Sequence, residues 1–78
     1  MKIIIIDDDL AITKFLKPRL QEEGFLVDVA NDGERGLFMS QTNNYDSIIL
    51  DLNLPGKNGD IICQELRSSG MTTPIIIL

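Results

Sequence analysis

The sequence predicts an α/β fold, a single parallel sheet wound on both faces by helices, and three observations carry that prediction. Short runs of branched apolar residues alternate with stretches of helical periodicity, in the order β-α-β-α-β-α-β. Two of those runs, Ile3-Ile4-Ile5-Ile6 and Ile48-Ile49-Leu50, are apolar at every position, the pattern of strands covered on both faces. Both runs end in acid, the first in Asp7-Asp8-Asp9 and the second in Asp51. Right-handed crossovers make the strands parallel. Neighbouring parallel strands stand about 4.8 Å apart, so their carboxyl ends would gather those acids together. That end of an open α/β sheet is where ligands bind.

Each element has its own local reason. Residues 1–6 form the first strand, and Asp9 is placed to cap the helix after it, Asp being a preferred N-cap. Ile12, Phe15, Leu16 and Leu20 then recur as a helical stripe with polar residues between them. Pro18 lies within this helix, removes a backbone donor and predicts a kink, at roughly 3 kcal/mol unless the bend is useful. Gly24 ends it as a C′ residue. Residues 25–30 alternate around Asp28 and read as a second strand, more exposed than the first. Asn31-Asp32-Gly33 has hairpin-turn composition, but residues 34–42 are helical in character and Asp32 is a natural cap for them. Gly36 either weakens that helix or lets it approach the sheet closely. Leu37 is expected in the core, with one of Phe38 and Met39 turned to solvent.

Residues 45–52 are read as the third strand, and the Pro55, Gly56 and Gly59 punctuation that follows as a loop. A third helix runs from about Asp60 to Ser68 with Ile62 and Leu66 on its buried face, and Gly70 stops it. Thr73-Pro74 opens the last apolar run, Ile75-Ile76-Ile77-Leu78.

Composition narrows the function classes. The 78 residues suit one small domain with a core of modest size. Twelve acidic residues against seven basic ones give a net charge of −5, which argues against direct nucleic-acid binding, since phosphates require clustered Lys and Arg. The same balance suits a cation. Cys63 stands alone, so it forms no internal disulfide, and its apolar neighbours predict a packed thiol. No apolar run approaches the roughly 20 residues of a membrane span, and no signal-peptide pattern opens the chain. A cytoplasmic protein with no membrane partner is the expectation.

The acids are the candidate site. Asp7, Asp8 and Asp51 at converging strand ends would crowd like charges, which is unfavourable unless a cation sits among them. Mg²⁺ suits such a place, taking oxygen ligands from one or two carboxylates and keeping water for a phosphoryl group. A carboxylate can itself be the nucleophile and form an aspartyl-phosphate. The blander alternative makes Asp7 to Asp9 a helix cap and Asp51 a strand end.

With these residues in view, the chain resembles the receiver domain of two-component response regulators along its whole length. The resemblance rests on Ile3-Ile4-Ile5-Ile6-Asp7-Asp8-Asp9, on Tyr45-Asp46-Ser47-Ile48-Ile49-Leu50-Asp51-Leu52-Asn53-Leu54-Pro55, and on Gly33, Gly59 and the Pro74-led last strand. In overall look it is nearest the receivers of winged-helix transcription regulators. The resemblance implies a flavodoxin-like doubly wound sheet of strand order 2-1-3-4. It implies that Asp51 is the phosphoacceptor, taking phosphate from the phosphohistidine of a sensor histidine kinase. Asp8 would ligate Mg²⁺ directly, Asp7 through water, and Asn53 through its backbone carbonyl, so that Asp7, Asp8, Asp51 and Asn53 form the metal set. The module would not be an enzyme toward an external substrate. Lys57, in the loop beyond Asp51, is expected to be a solvated surface residue.

The family pattern continues beyond these 78 residues with a Ser or Thr ending the fourth strand, a fifth strand ending in Lys, and two further helices. The sequence is therefore expected to represent part of a receiver domain, spanning 1–78, with slow phosphorylation at best. It also predicts an apolar fourth-strand edge at Ile75-Ile76-Ile77-Leu78, available for a homodimer or higher oligomer. The alternative to a phosphoacceptor module is a self-associating structural piece that is not itself phosphorylated.

Overall fold

The computed structural model describes residues 1–78. Seven elements follow in order: β1 (Lys2–Ile6), α1 (Leu10–Glu22), β2 (Leu26–Ala30), α2 (Gly33–Thr42), β3 (Ser47–Leu50), α3 (Gly59–Ser68) and β4 (Ile75–Ile77). The four strands are parallel and ordered β2-β1-β3-β4, as expected. Ile4 pairs with Asp28 on one side and Ile48 on the other, and Ile49 with Ile76, so β1 and β3 lie inside the sheet. Their interior positions account for the unbroken apolar runs.

Alternation along each strand sends successive side chains to opposite faces. Ile4, Ile6, Ile48 and Leu50 pack with Leu37 of α2 and with Ile62 and Leu66 of α3. Ile3, Ile5, Val27 and Ile49 form the other face, covered by Leu16 and Leu20 of α1. The sheet is thus wound on both sides, with two helices on one face and one on the other. Gly36 resolves in favour of close approach, because a Cβ built there would stand 2.6 Å from Ile6 Cγ2. Phe38 is exposed and Met39 half-buried, and Cys63 packs half-buried against the larger core face.

α1 and β3 have local features of their own. The stripe on α1 is only half used: Leu16 and Leu20 pack, whereas Ile12 is 37% and Phe15 54% exposed. On that side the Arg19 guanidinium stands 3.6 Å from the Phe15 ring centroid, and Leu78 lines a groove with Ile12 and Phe15. The helix contains Pro18, as expected, and continues to Glu22. Pro18 and Lys14 are both exposed, so water can take the Lys14 carbonyl that lost its donor. The third strand is shorter than residues 45–52, although the ladder continues one step past its end, with the Asp51 N–H donating to the Ile6 carbonyl at 2.9 Å.

A polar cluster pins the opposite end of the sheet. The Tyr45 hydroxyl donates to Asp28 Oδ2 at 2.6 Å, and Lys2 Nζ lies 3.7 Å from the same oxygen. Lys2 also donates its backbone N–H to Asp46 Oδ2 at 2.7 Å. β1, β2 and the residues leading into β3 are tied together there, while the acids occupy the other end.

Candidate functional site: an acidic cluster at the carboxyl ends of β1 and β3

Two backbone bonds place the acids. The Asp7 N–H donates to the Ala30 carbonyl at 3.0 Å and the Asp51 N–H to the Ile6 carbonyl, so both residues leave the sheet while still tied to its ladder. Asp7, Asp8 and Asp51 each offer a carboxylate oxygen within 4.8 Å of the others. Asp7 is buried, Asp51 half-buried and Asp8 exposed. The sequence expectation that these three converge is therefore met by the geometry.

The environments of the acids differ. Asp7 Oδ1 accepts the Asp9 N–H at 2.9 Å, whereas Asp7 Oδ2 is buried and has no hydrogen-bond partner. A buried carboxylate oxygen without a donor is costly. Burial above all, with the Asp51 and Asp8 charges beside it, pushes the Asp7 carboxyl above the usual Asp range despite the Asp9 N–H. Asp9 itself caps α1, its Oδ1 accepting from the Ala11 N–H at 2.9 Å. It stands outside the cluster.

A hard divalent cation fits this arrangement. It would supply the partner that Asp7 Oδ2 lacks and relieve the repulsion among three carboxylates, and oxygen-only ligands suit a hard cation of the Mg²⁺ or Ca²⁺ kind. Asn53 lies two residues beyond Asp51 and donates its backbone N–H to Asp51 Oδ1 at 3.1 Å, orienting that carboxylate.

The loop after Asp51 is more tightly held than its Pro and Gly content suggests. Leu54 is buried in the core, the Gly59 N–H donates to the Leu52 carbonyl at 3.0 Å, and Asn58 Oδ1 caps α3 by accepting the Ile61 N–H. Lys57 is not a free surface cation. Its Nζ donates to both carboxylate oxygens of Glu65, at 3.0 and 3.1 Å. The eight-residue spacing hides that pair from sequence reasoning, because it joins a loop to a helix. Asn31 was also missed: its Nδ2 donates to the Asp7 carbonyl at 3.1 Å, across a gap of 24 residues.

Residues 3–78 match the response regulator receiver domain family. Among curated relatives, the response regulator ArlR of Staphylococcus saprophyticus is 43% identical over 77 residues, covering 99% of this chain and 34% of ArlR. The transcriptional regulatory protein CusR of Escherichia coli K12 is 41% identical over 78 residues, covering all of this chain and 34% of CusR. This chain thus spans about a third of the length of these relatives. Among solved structures, the receiver domain of the Francisella response regulator 1452 superposes with a TM-score of 0.94 at 39% identity, over 97% of this chain and 63% of that one. The response regulator TrrA of Thermotoga maritima, solved with Mg²⁺ and BeF, gives a TM-score of 0.84 at 37% identity, over 97% of this chain and 64% of TrrA. The parallel sheet, the acids at its carboxyl edge and the match along nearly the whole sequence agree: the chain belongs to the response regulator receiver domain family.

Proposed function

We propose that the chain is a phosphoacceptor module, in which Asp51 takes a phosphoryl group from the phosphohistidine of a sensor histidine kinase with Mg²⁺ held at Asp7, Asp8, Asp51 and the Asn53 carbonyl. The observation that carries this reading is the asymmetry of the cluster. Asp7 is 1% exposed with an unpartnered oxygen, suited to holding a cation, while half-buried Asp51 is open to a reacting phosphorus. An Asp51 carboxylate oxygen would form the new bond to phosphorus as the phosphorus–nitrogen bond of the donor breaks and the imidazole leaves. Asn53 orients that carboxylate through its N–H. Mg²⁺, when bound, supplies charge neutralisation for the transferred phosphoryl oxygens, which is most of what such a transfer needs. The complex of TrrA with Mg²⁺ and BeF supports the metal assignment by likeness.

The output of the longer protein would be transcription control, on the likeness to CusR and to winged-helix regulators, and its location cytoplasmic. No helix of this chain is long and apolar enough to cross a membrane. Residues 1–78 are read as part of a receiver domain, since they cover 63% and 64% of two solved receiver chains. Exposure to acetyl phosphate with Mg²⁺ tests the function. A mass increase of one phosphoryl group in the wild type, absent from Asp51→Asn, is the expected result. Equal labelling of Asp51→Asn would assign the phosphate elsewhere.

One observation favours a second property alongside the first. β4 is an edge strand in which Ile76 and Ile77, like Leu78 just after it, are about half exposed, next to an apolar groove of Ala11, Ile12, Phe15, Leu16 and Leu78. A second copy of the chain offers the same unpaired backbone and the same apolar surface, so a two-fold homodimer covers both.

A further inference from the structure

The turn between β2 and α2 touches both chain segments that carry the acids. Asn31 reaches the Asp7 carbonyl. Two residues later, Gly33 opens α2 so close to the loop of residues 51–59 that a Cβ built on it lands on the Lys57 carbonyl oxygen and 3.0 Å from Ile62 Cδ1. Between them Asp32 accepts the Arg35 N–H at 2.8 Å, which joins the turn rigidly to its helix. The loop it meets is tied by Leu54, by Gly59 and by the Lys57–Glu65 pair. A loop held at several points passes on a displacement instead of absorbing it.

We propose that Asn31 and Gly33 are positioning residues for the acidic site. Asn31 holds the Asp7 backbone, Gly33 seats the Asp51 loop, and the turn between them sets the separation of the two acids. The role in phosphotransfer rests on the phosphoacceptor reading, but the positioning of Asp7 against Asp51 does not. Gly33 is needed at this point because the atom it meets is a backbone carbonyl, which no change of side-chain rotamer can move aside. Any larger residue shifts the loop or the helix.

Amide resonances and Mg²⁺ titration calorimetry on the 78-residue protein test the inference. In metal-free Gly33→Ala, the amides of Asp51, Leu52 and Asn53 are expected to move while those of Lys2 and Asp46, at the opposite end of the sheet, stay. Mg²⁺ affinity should fall about tenfold or more, as for other residues that orient metal ligands. Asn31→Ala removes one half-buried hydrogen bond at an otherwise exposed residue, and should move the amides of residues 7–9 with a severalfold loss of affinity. Tyr45→Phe loses stability at the far end and should keep wild-type affinity. Folded Gly33→Ala and Asn31→Ala with unmoved site resonances and wild-type affinity would overturn the proposal, and Asn31→Ala decides alone if Gly33→Ala does not fold. If the wild type neither binds Mg²⁺ nor takes phosphate while the resonances still move, the positioning role stands and the phosphoacceptor reading falls.

Discussion

Asp7 is the residue in which structure and function pull against each other. Its folded-state pKa is raised, chiefly by burial, so the folded chain holds that proton more tightly than the unfolded one. Above the ordinary Asp range the unfolded state therefore binds fewer protons, and this residue's contribution makes stability fall as pH rises through the raised pKa. Asp7→Asn should accordingly stabilise the metal-free protein at neutral pH, and the gain should shrink toward zero as pH drops below 3.8. Denaturant melts of both proteins across that range check the sign. Asp8→Ala and Asp51→Ala should weaken Mg²⁺ binding, whereas Asp9→Ala should mainly remove the α1 cap, at about 1 kcal/mol. Calorimetry showing equal losses of affinity for all three would contradict that division. At the other end of the sheet, Tyr45→Phe keeps the ring but strips Asp28 of its donor, with an expected cost of about 1 kcal/mol.

At the level of elements, the helices differ in how completely they are used. Ile62 and Leu66 of α3 have no exposed surface, so Leu66→Ala should cost about 2–5 kcal/mol through lost burial and the cavity left behind. α1 buries its Leu16 and Leu20 side but leaves Ile12 and Phe15 open, with the Arg19 guanidinium 3.6 Å from the Phe15 ring centroid. Periodicity located this stripe correctly on the helix. It could not say that only half of the stripe meets the sheet, because coverage depends on what lies across from the helix. Asn58 follows the same logic. It reads as one more loop residue, yet in the fold it caps α3 and closes the Asp51 loop.

For the whole molecule, the uneven layering has a consequence. Within residues 1–78 two helices cover one face of the sheet and one covers the other, and Ile12, Phe15, Ile76 and Leu78 around α1 and β4 are exposed. Ile76, on the thinly covered face opposite Ile49, is 53% exposed. If the fourth strands meet in a homodimer, Ile76→Lys should dissociate or unfold it by placing charge where the partner packs. Sedimentation of the wild type is expected to show an assembly larger than one chain at micromolar concentration. A stable folded monomer there would refute the dimer.

What the sequence determined by itself is what depends on neighbours along the chain. Unbroken runs at Ile3-Ile4-Ile5-Ile6 and Ile48-Ile49-Leu50 demanded interior strands, and alternation with helices demanded parallel ones, which brought Asp7, Asp8 and Asp51 to one edge. The Asp9 and Asp32 caps were legible because capping is local. Only the tertiary structure decided the matters that join distant segments: Asn31 on Asp7, Gly33 under Lys57, Lys57 on Glu65, and the burial that separates Asp7 from Asp8. These have no period and no fixed spacing. They arise when strands and helices already formed are brought side by side, and the free energy of each depends on the solvent that the rest of the fold excludes.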